Sequence, residues 1–223
     1  SFLTENGLSH SVQNDAGRGI IVVEKPHTVI FPIEVCAVTA EEARARSEEE
    51  WKRIKGYTDV HGYPVIITED RWRSQRNMME ARLLAHLEAF FPVYARNCEI
   101  RKIDKAEAAA FLEANHSYGD AACRYRYGMF LRRHTGWRSL IHLSNPDQEK
   151  NTEQNCNIRE ALKPGTLIAV AEFSNARKWI KGDKTIRSYE WTRYASLPGV
   201  RINGGMGKML KHFIKEVQPD DIM

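Results

Sequence analysis

The sequence predicts a mixed α/β (α+β) fold, and three observations carry that prediction. Short β-branched runs such as Gly19–Glu24 and Thr28–Glu34 read as strands. Stretches such as Arg71–Phe90 and Lys105–Ala114 have the spacing or composition of helices. The two kinds of segment alternate along the chain, which argues for sheets flanked by helices. With 223 residues, the chain has room for one large domain or two small ones with a substantial core.

Residues 1–18 are polar and rich in Asn, Ser and Gly, and predict a loosely ordered lead. The strand Thr28–Glu34 contains Pro32, which suits an edge or an early end. Thr39 and Glu42 have capping-box spacing and open a charged helix expected to run to Lys55 and close at Gly56. Pro64–Thr68 reads as a short strand. The helix Arg71–Phe90 places Met78, Met79, Leu83, Leu84 and Leu87 on one face, and Pro92 should end it. Residues 19–92 therefore form a first small α/β module.

A second domain is expected over residues 93–223. Cys98–Lys102 reads as a strand. Asp104 and Glu107 cap a helix over Lys105–Ala114, and Asn115–Gly119 is a polar turn. Arg124–Leu131 and Trp137–Leu143 form an expected hairpin about His134–Gly136, followed by a polar loop over residues 144–164. Thr166–Ser174 is a strand, then comes a polar loop, then a strand over Ser188–Ser196.

The net charge is +4 and unevenly spread. Residues 1–118 hold 15 basic and 18 acidic side chains; residues 119–223 hold 18 and 11. A basic second half suits an anionic ligand such as a phosphorylated coenzyme, or nucleic acid, DNA or RNA, and equally a solvated surface. Arginines and aromatics in Arg124–Arg133 could stack on bases. No long apolar run marks a membrane span and no signal-peptide pattern opens the chain. Cys36, Cys98, Cys123 and Cys156 are scattered without a CxxC pair, so no metal site is expected and the thiols fit a reducing cytoplasm.

The most informative segment is Arg201-Ile202-Asn203-Gly204-Gly205-Met206-Gly207-Lys208, followed by an apolar helical stretch. Glycines let a backbone approach an anion, and a helix start offers unpaired N–H groups and a partial positive charge. The order strand, glycine turn, helix reads as a pyrophosphate cradle, or as an ordinary strand-to-helix turn. It is not a P-loop, because Met209 follows Lys208 where Ser or Thr is needed. It is not a dinucleotide fingerprint, which belongs at the start of a βαβ unit.

With its upstream strands, this turn resembles the acyl-coenzyme A loop of the GNAT acyltransferase superfamily. It is most similar to the divergent GNAT-like proteins of phages and mobile elements, the group near the DNA-modification protein Mom. There a strand with an acidic residue and an arginine precedes a glycine-rich turn ending in lysine; Glu190, Arg193 and Gly204–Lys208 match. The resemblance covers residues 165–223 and extends upstream toward Tyr94. It departs from the common pattern at Ile202, where Gln or Arg is usual, and the expected later strands and tyrosine would fall beyond Met223. Tyr63–Trp72 is similar to the closing strand of nuclease-like domains fused to such proteins, but Glu34-Val35-Cys36 lacks the lysine of their metal cluster. The first module is thus expected to be a degenerate nuclease-like scaffold or an unrelated unit.

The resemblance implies an N-acyltransferase using acetyl-coenzyme A or another acyl-coenzyme A, with a nucleobase, small amine or protein amine as acceptor. Arg201, Gly204, Gly205, Met206, Gly207 and Lys208 would hold the coenzyme. Glu190 and Glu172 are candidate proton acceptors, each an acidic residue in an otherwise apolar or aromatic strand. His116 is a further candidate base. Tyr189 and Tyr118 are candidate donors to the thiolate, with Tyr118 and Arg193 also facing substrate. The competing class is a nucleic-acid-binding module without catalysis.

Overall fold

The computed structural model describes residues 2–15, 17–35, 39–133 and 162–223. The chain divides into two compact units, Ser1–Ala89 and Phe90–Met223. The boundary falls just before the expected one because Phe91–Tyr94 pairs with a strand of the second unit. The expected strand Trp137–Leu143 and most of the loop over residues 144–164 lie outside the described residues, as do Cys36 and Cys156.

The first unit is a sheet in the order β1-β2-β3-β4, formed by His10–Asp15, Arg18–Val23, Thr28–Ile33 and Val65–Thr68. The lead expected to be loose instead contributes helix α1 (Phe2–Glu5) and all of β1, which pairs antiparallel with β2. Leu3 and Leu8 are buried, so this segment is held by its apolar residues despite its polar composition. Alternation sorts the strands. Val23 and Ile30 face a cluster with Leu3, Leu83 and Leu87, while Ile20, Val29 and Phe31 face Tyr57.

Helix α2 (Ala40–His61) joins β3 to the parallel β4, as a parallel pair requires a crossover. Its capping box is present as expected. The helix runs through Gly56 and closes at Gly62, whose φ of 88° ends it. A single interior glycine costs only about 1 kcal/mol, which a long helix absorbs. Arg53 ties α2 to the sheet: it pairs with Glu50 at 3.0 Å and Asp15 at 3.2 Å, with its guanidinium 4.3 Å over the Phe31 ring. The expected helix over Arg71–Phe90 is two helices, α3 (Glu69–Ser74) and α4 (Arg76–His86), broken at Gln75. Chain reversal at Glu88, with φ 57°, follows α4 before Pro92 is reached, and Pro92 lies inside a strand.

The second unit is built on an antiparallel sheet in the order β11-β8-β7-β6: Trp191–Ser196, Leu167–Phe173, Tyr125–Leu131 and Cys98–Lys102. Helix α5 (Lys105–Asn115) covers one face, packing Ala108, Phe111 and Leu112 against Val170 and Ala195. Helix α6 (Gly205–Val217) covers the other, placing Met209 and Phe213 among Tyr127, Ala171 and Phe173. The Phe213 and Phe173 rings stack with centroids 3.9 Å apart. Two smaller pairings complete the unit. β5 (Phe91–Tyr94) runs parallel to β12 (Val200–Asn203), and β13 (Asp221–Ile222) runs parallel to β10 (Lys184–Tyr189), which also pairs with β9 (Arg177–Lys181).

Two expectations are corrected here. The polar loop after Ser174 contains the β9–β10 hairpin. The single strand Ser188–Ser196 is broken at Glu190, whose N–H donates to Ser174 Oγ at 2.9 Å and whose carbonyl accepts from Ser174 N–H at 2.9 Å. Those local bonds replace ladder bonds at the junction of β10 and β11. Among the described residues, no helix is long and apolar enough to cross a membrane.

Deleting the Phe213 ring should leave a cavity at the α6–sheet contact. Phe213→Ala is expected to destabilise the second unit by about 3–5 kcal/mol, read as a lower urea midpoint.

Candidate functional site

The glycine turn closes β12 and opens α6. Gly204 adopts a left-handed φ of 77° at the N-cap and offers no side chain to the first-turn amides. The other two glycines differ in what surrounds them. A Cβ on Gly205 would lie 2.8 Å from Ile202 Cγ2 and 2.9 Å from the Tyr194 hydroxyl, so packing alone demands glycine there. A Cβ on Gly207 would meet nothing within 4 Å. Gly207 is therefore the glycine that neither backbone conformation nor internal packing requires.

Lys208 points back into the fold. Its Nζ donates to the Ala95 carbonyl at 2.8 Å and to the Cys98 carbonyl, tying α6 to the short 3-10 turn Ala95–Asn97. Arg201 is exposed, with its guanidinium 4.9 Å over the Phe90 ring. Neither cation reaches across the turn; the positive character at the start of α6 comes from backbone amides.

Beside the turn lies a groove of about 740 Å³, within the range of small-molecule sites. Trp191, Arg193 and Tyr194 of β11 form one wall, Met206, Leu210 and Ile214 of α6 another, and the segment from Pro219 to Met223 an end. β11 is the last strand of its sheet, so its outer edge is not paired by another strand of that sheet. Burial pushes the Tyr194 hydroxyl up to about 12, so it remains protonated beside Gly205.

The structure gathers a second group of candidates on the α5 face. Arg126 and Arg193 are the register partners of Glu172 on its two sides, forming a cross-strand row. Glu172 is fully buried, neither at a solvent edge nor open to a cleft. Its carboxylate accepts from Arg126 Nε at 3.0 Å and from the Ala121 N–H at 3.3 Å. Arg126 also donates to the Ala121 carbonyl, and Arg193 donates to the Gly119 carbonyl. The row thus pins the segment after α5 onto the sheet. Cys123 Sγ lies 2.7 Å from Thr192 Oγ1, and Thr192 donates to the Glu172 carbonyl.

Asp120 completes this cluster. Its buried Oδ1 has no hydrogen-bond partner among the described residues, and its carboxyl lies against that of Glu172. Burial, then the neighbouring Asp120, pushes the Glu172 carboxyl up to about 7, against the opposing pull of Arg126 and the Ala121 amide. A proton on Glu172 gives Asp120 the donor it otherwise lacks.

His116 caps the end of α5, and its Nδ1 accepts from the Tyr118 N–H at 3.2 Å. Burial, then Arg193, lowers its pKa, so the neutral ring carries its proton on Nε2 and presents a donor there. Tyr118 is 70 % exposed, with its ring 6.0 Å from the Arg193 guanidinium.

Glu190 and Tyr189 lie apart from that cluster. Glu190 is half-exposed at the strand break, 3.5 Å from Arg177. Tyr189 is buried, edge-on to Tyr125 and Phe213, and burial raises its pKa. Of the aromatics in Arg124–Arg133, Tyr127 and Phe130 are buried within β7, and Tyr125 is half-buried, edge-on to Tyr189 and Phe213.

Sequence reasoning missed Asp120, Arg126, Cys123, Thr192 and Tyr194. Arg126 carried a detectable signal, a charge among the aromatics of a strand. The others become recognisable only through partners distant in sequence. No protein-family model matches the chain, nor does any curated protein or solved structure.

The raised Glu172 pKa fixes a sign. A carboxyl protonated more readily in the folded state stabilises below its ordinary pKa of 4.5, and that contribution is lost as pH rises through about 7. Stability should therefore fall across that interval. Asp120→Asn should flatten the loss, recovering roughly 1–3 kcal/mol at pH 8 in denaturant titrations against pH.

Proposed function

We propose that residues 90–223 form a GNAT-like acyltransferase, moving an acyl group from acetyl-coenzyme A or another acyl-coenzyme A to an amine. The observation that carries the proposal is the start of α6. Its first-turn amides have no side-chain cap, Gly207 faces open space, and a groove of about 740 Å³ adjoins them along the β11 edge. The pyrophosphate would be met by backbone amides and the helix dipole, and the apolar wall of Met206, Leu210 and Ile214 suits the pantetheine arm.

In this reading the amine nitrogen attacks the thioester carbonyl, and an outward amide of β11 stabilises the developing oxyanion. The tetrahedral intermediate collapses with cleavage of the C–S bond, and the amine gives up its proton. Glu190 suits the proton acceptor because it immediately precedes the groove-lining Trp191 and its exposed pairing with Arg177 is weak. The exposed Tyr118 hydroxyl suits a proton donor to the thiolate, beside Arg193, and His116 holds the Tyr118 backbone through its Nδ1. Glu172 and Tyr189 are buried, and in this reading they belong to the framework around the site.

Two alanine substitutions separate a coenzyme cradle from an ordinary turn. Gly207→Ala should raise intrinsic helix stability by about 1 kcal/mol, yet weaken acetyl-coenzyme A binding about tenfold or more by calorimetry. Gly205→Ala should cost about 1–3 kcal/mol of stability through contact with Ile202 and Tyr194. Unchanged coenzyme affinity in the Gly207 variant, or no binding by the unmodified protein, would sink the proposal.

A further inference from the structure

The β9–β10 hairpin is anomalous as a piece of folded structure. Every residue of β9 is exposed, and so are Lys184 and Thr185 at the start of β10. Gly182, with φ 59°, begins the tight turn between Lys181 and Lys184. Cross-strand register places Lys181 opposite Lys184 and Lys178 opposite Arg187. Like charges directly opposite destabilise an antiparallel pair. Arg187 is relieved by Asp220 at 3.1 Å, and Arg177 pairs with Glu190. Lys178, Lys181 and Lys184 make no ion pair with the described residues.

The apolar positions are equally unexplained by folding. Trp179 is 45 % exposed and Ile180 78 %. Alternation puts them on opposite faces of the ribbon: Trp179 shares a face with Lys181 and Lys184, Ile180 with Lys178 and Arg187. Each face therefore carries cations beside an exposed apolar group.

We infer that the β9–β10 ribbon is a docking element for B-form duplex DNA, lying in the major groove with its lysines toward the two phosphate walls. The major groove, about 12 Å wide, admits a two-stranded ribbon. Phosphates on both sides would neutralise Lys178, Lys181 and Lys184, and Ile180 and Trp179 would meet base edges, where thymine methyls accept apolar contact. The deep, narrow major groove of A-form RNA does not admit such an element. The inference stands independently of acyl transfer, because the ribbon contributes no residue to the α6 groove.

The test is fluorescence anisotropy with a labelled duplex of about 20 base pairs across a salt series. Lys178→Glu combined with Lys181→Glu converts both like-charge pairs into opposite-charge pairs, so loss of folding is not expected. DNA affinity should fall about tenfold or more, and the salt slope should shrink by roughly 2, while the melting temperature holds or rises. Lys52→Glu with Lys55→Glu on α2 makes the same change in net charge and should leave binding intact. No binding by the unmodified protein at low salt, unchanged affinity in the ribbon variant, or equal loss in the α2 variant would overturn the inference. So would equal binding to duplex RNA or to polyaspartate.

Discussion

The second unit depends on the burial of β8 on both faces. From Ile168 to Phe173 every residue is buried, with α5 over one side and α6 over the other. A strand in that position has no solvent for a charge, yet it carries Glu172. The fold compensates with Arg126 from one neighbouring strand, an amide from the segment after α5, and a proton to be reconciled with Asp120. Arg193 reaches the same segment from the other neighbouring strand. The course of residues 116–124 follows from satisfying that carboxyl, and with it the positions of His116 and Tyr118.

The opposite face is governed by packing. Phe213 meets Phe173 in a parallel stack and edges of Tyr125, Tyr127 and Tyr189 around it. These contacts set where α6 lies, and so where its N-terminus begins. Position is then handed from the helix to the groove. Met206 and Leu210 face it because Met209 and Phe213 face the core.

Much of this was legible in the sequence wherever structure follows from local pattern. The capping box at Thr39, the caps of α5, the strand Leu167–Phe173 and the glycine turn into α6 all rest on residues within a few positions of one another. The β9–β10 ribbon was not legible because strand prediction rests on one buried face, and this hairpin has none over its outer half. The break at Glu190 was hidden because Ser174, which takes its N–H, is 16 residues away in a segment with no visible tie to it. At the candidate site, sequence singled out Gly204, Gly205 and Gly207 together. Only their surroundings distinguish a conformational need, a packing need and open space. For Lys208, sequence reveals the charge but not its direction, which is set by the carbonyls of Ala95 and Cys98.

That inward lysine has an energetic consequence for any anion received at α6. By anchoring the first helical turn to the chain leading from β5 into β6, it holds the amide array in one arrangement before a ligand arrives. Little conformational entropy remains to be lost on association, so a modest set of backbone donors can deliver most of its intrinsic attraction as affinity. A lysine reaching outward would add a full charge and lose its own rotamer freedom in doing so. Here that ordering is completed during folding, and the first-turn amides of α6 are left in a fixed array.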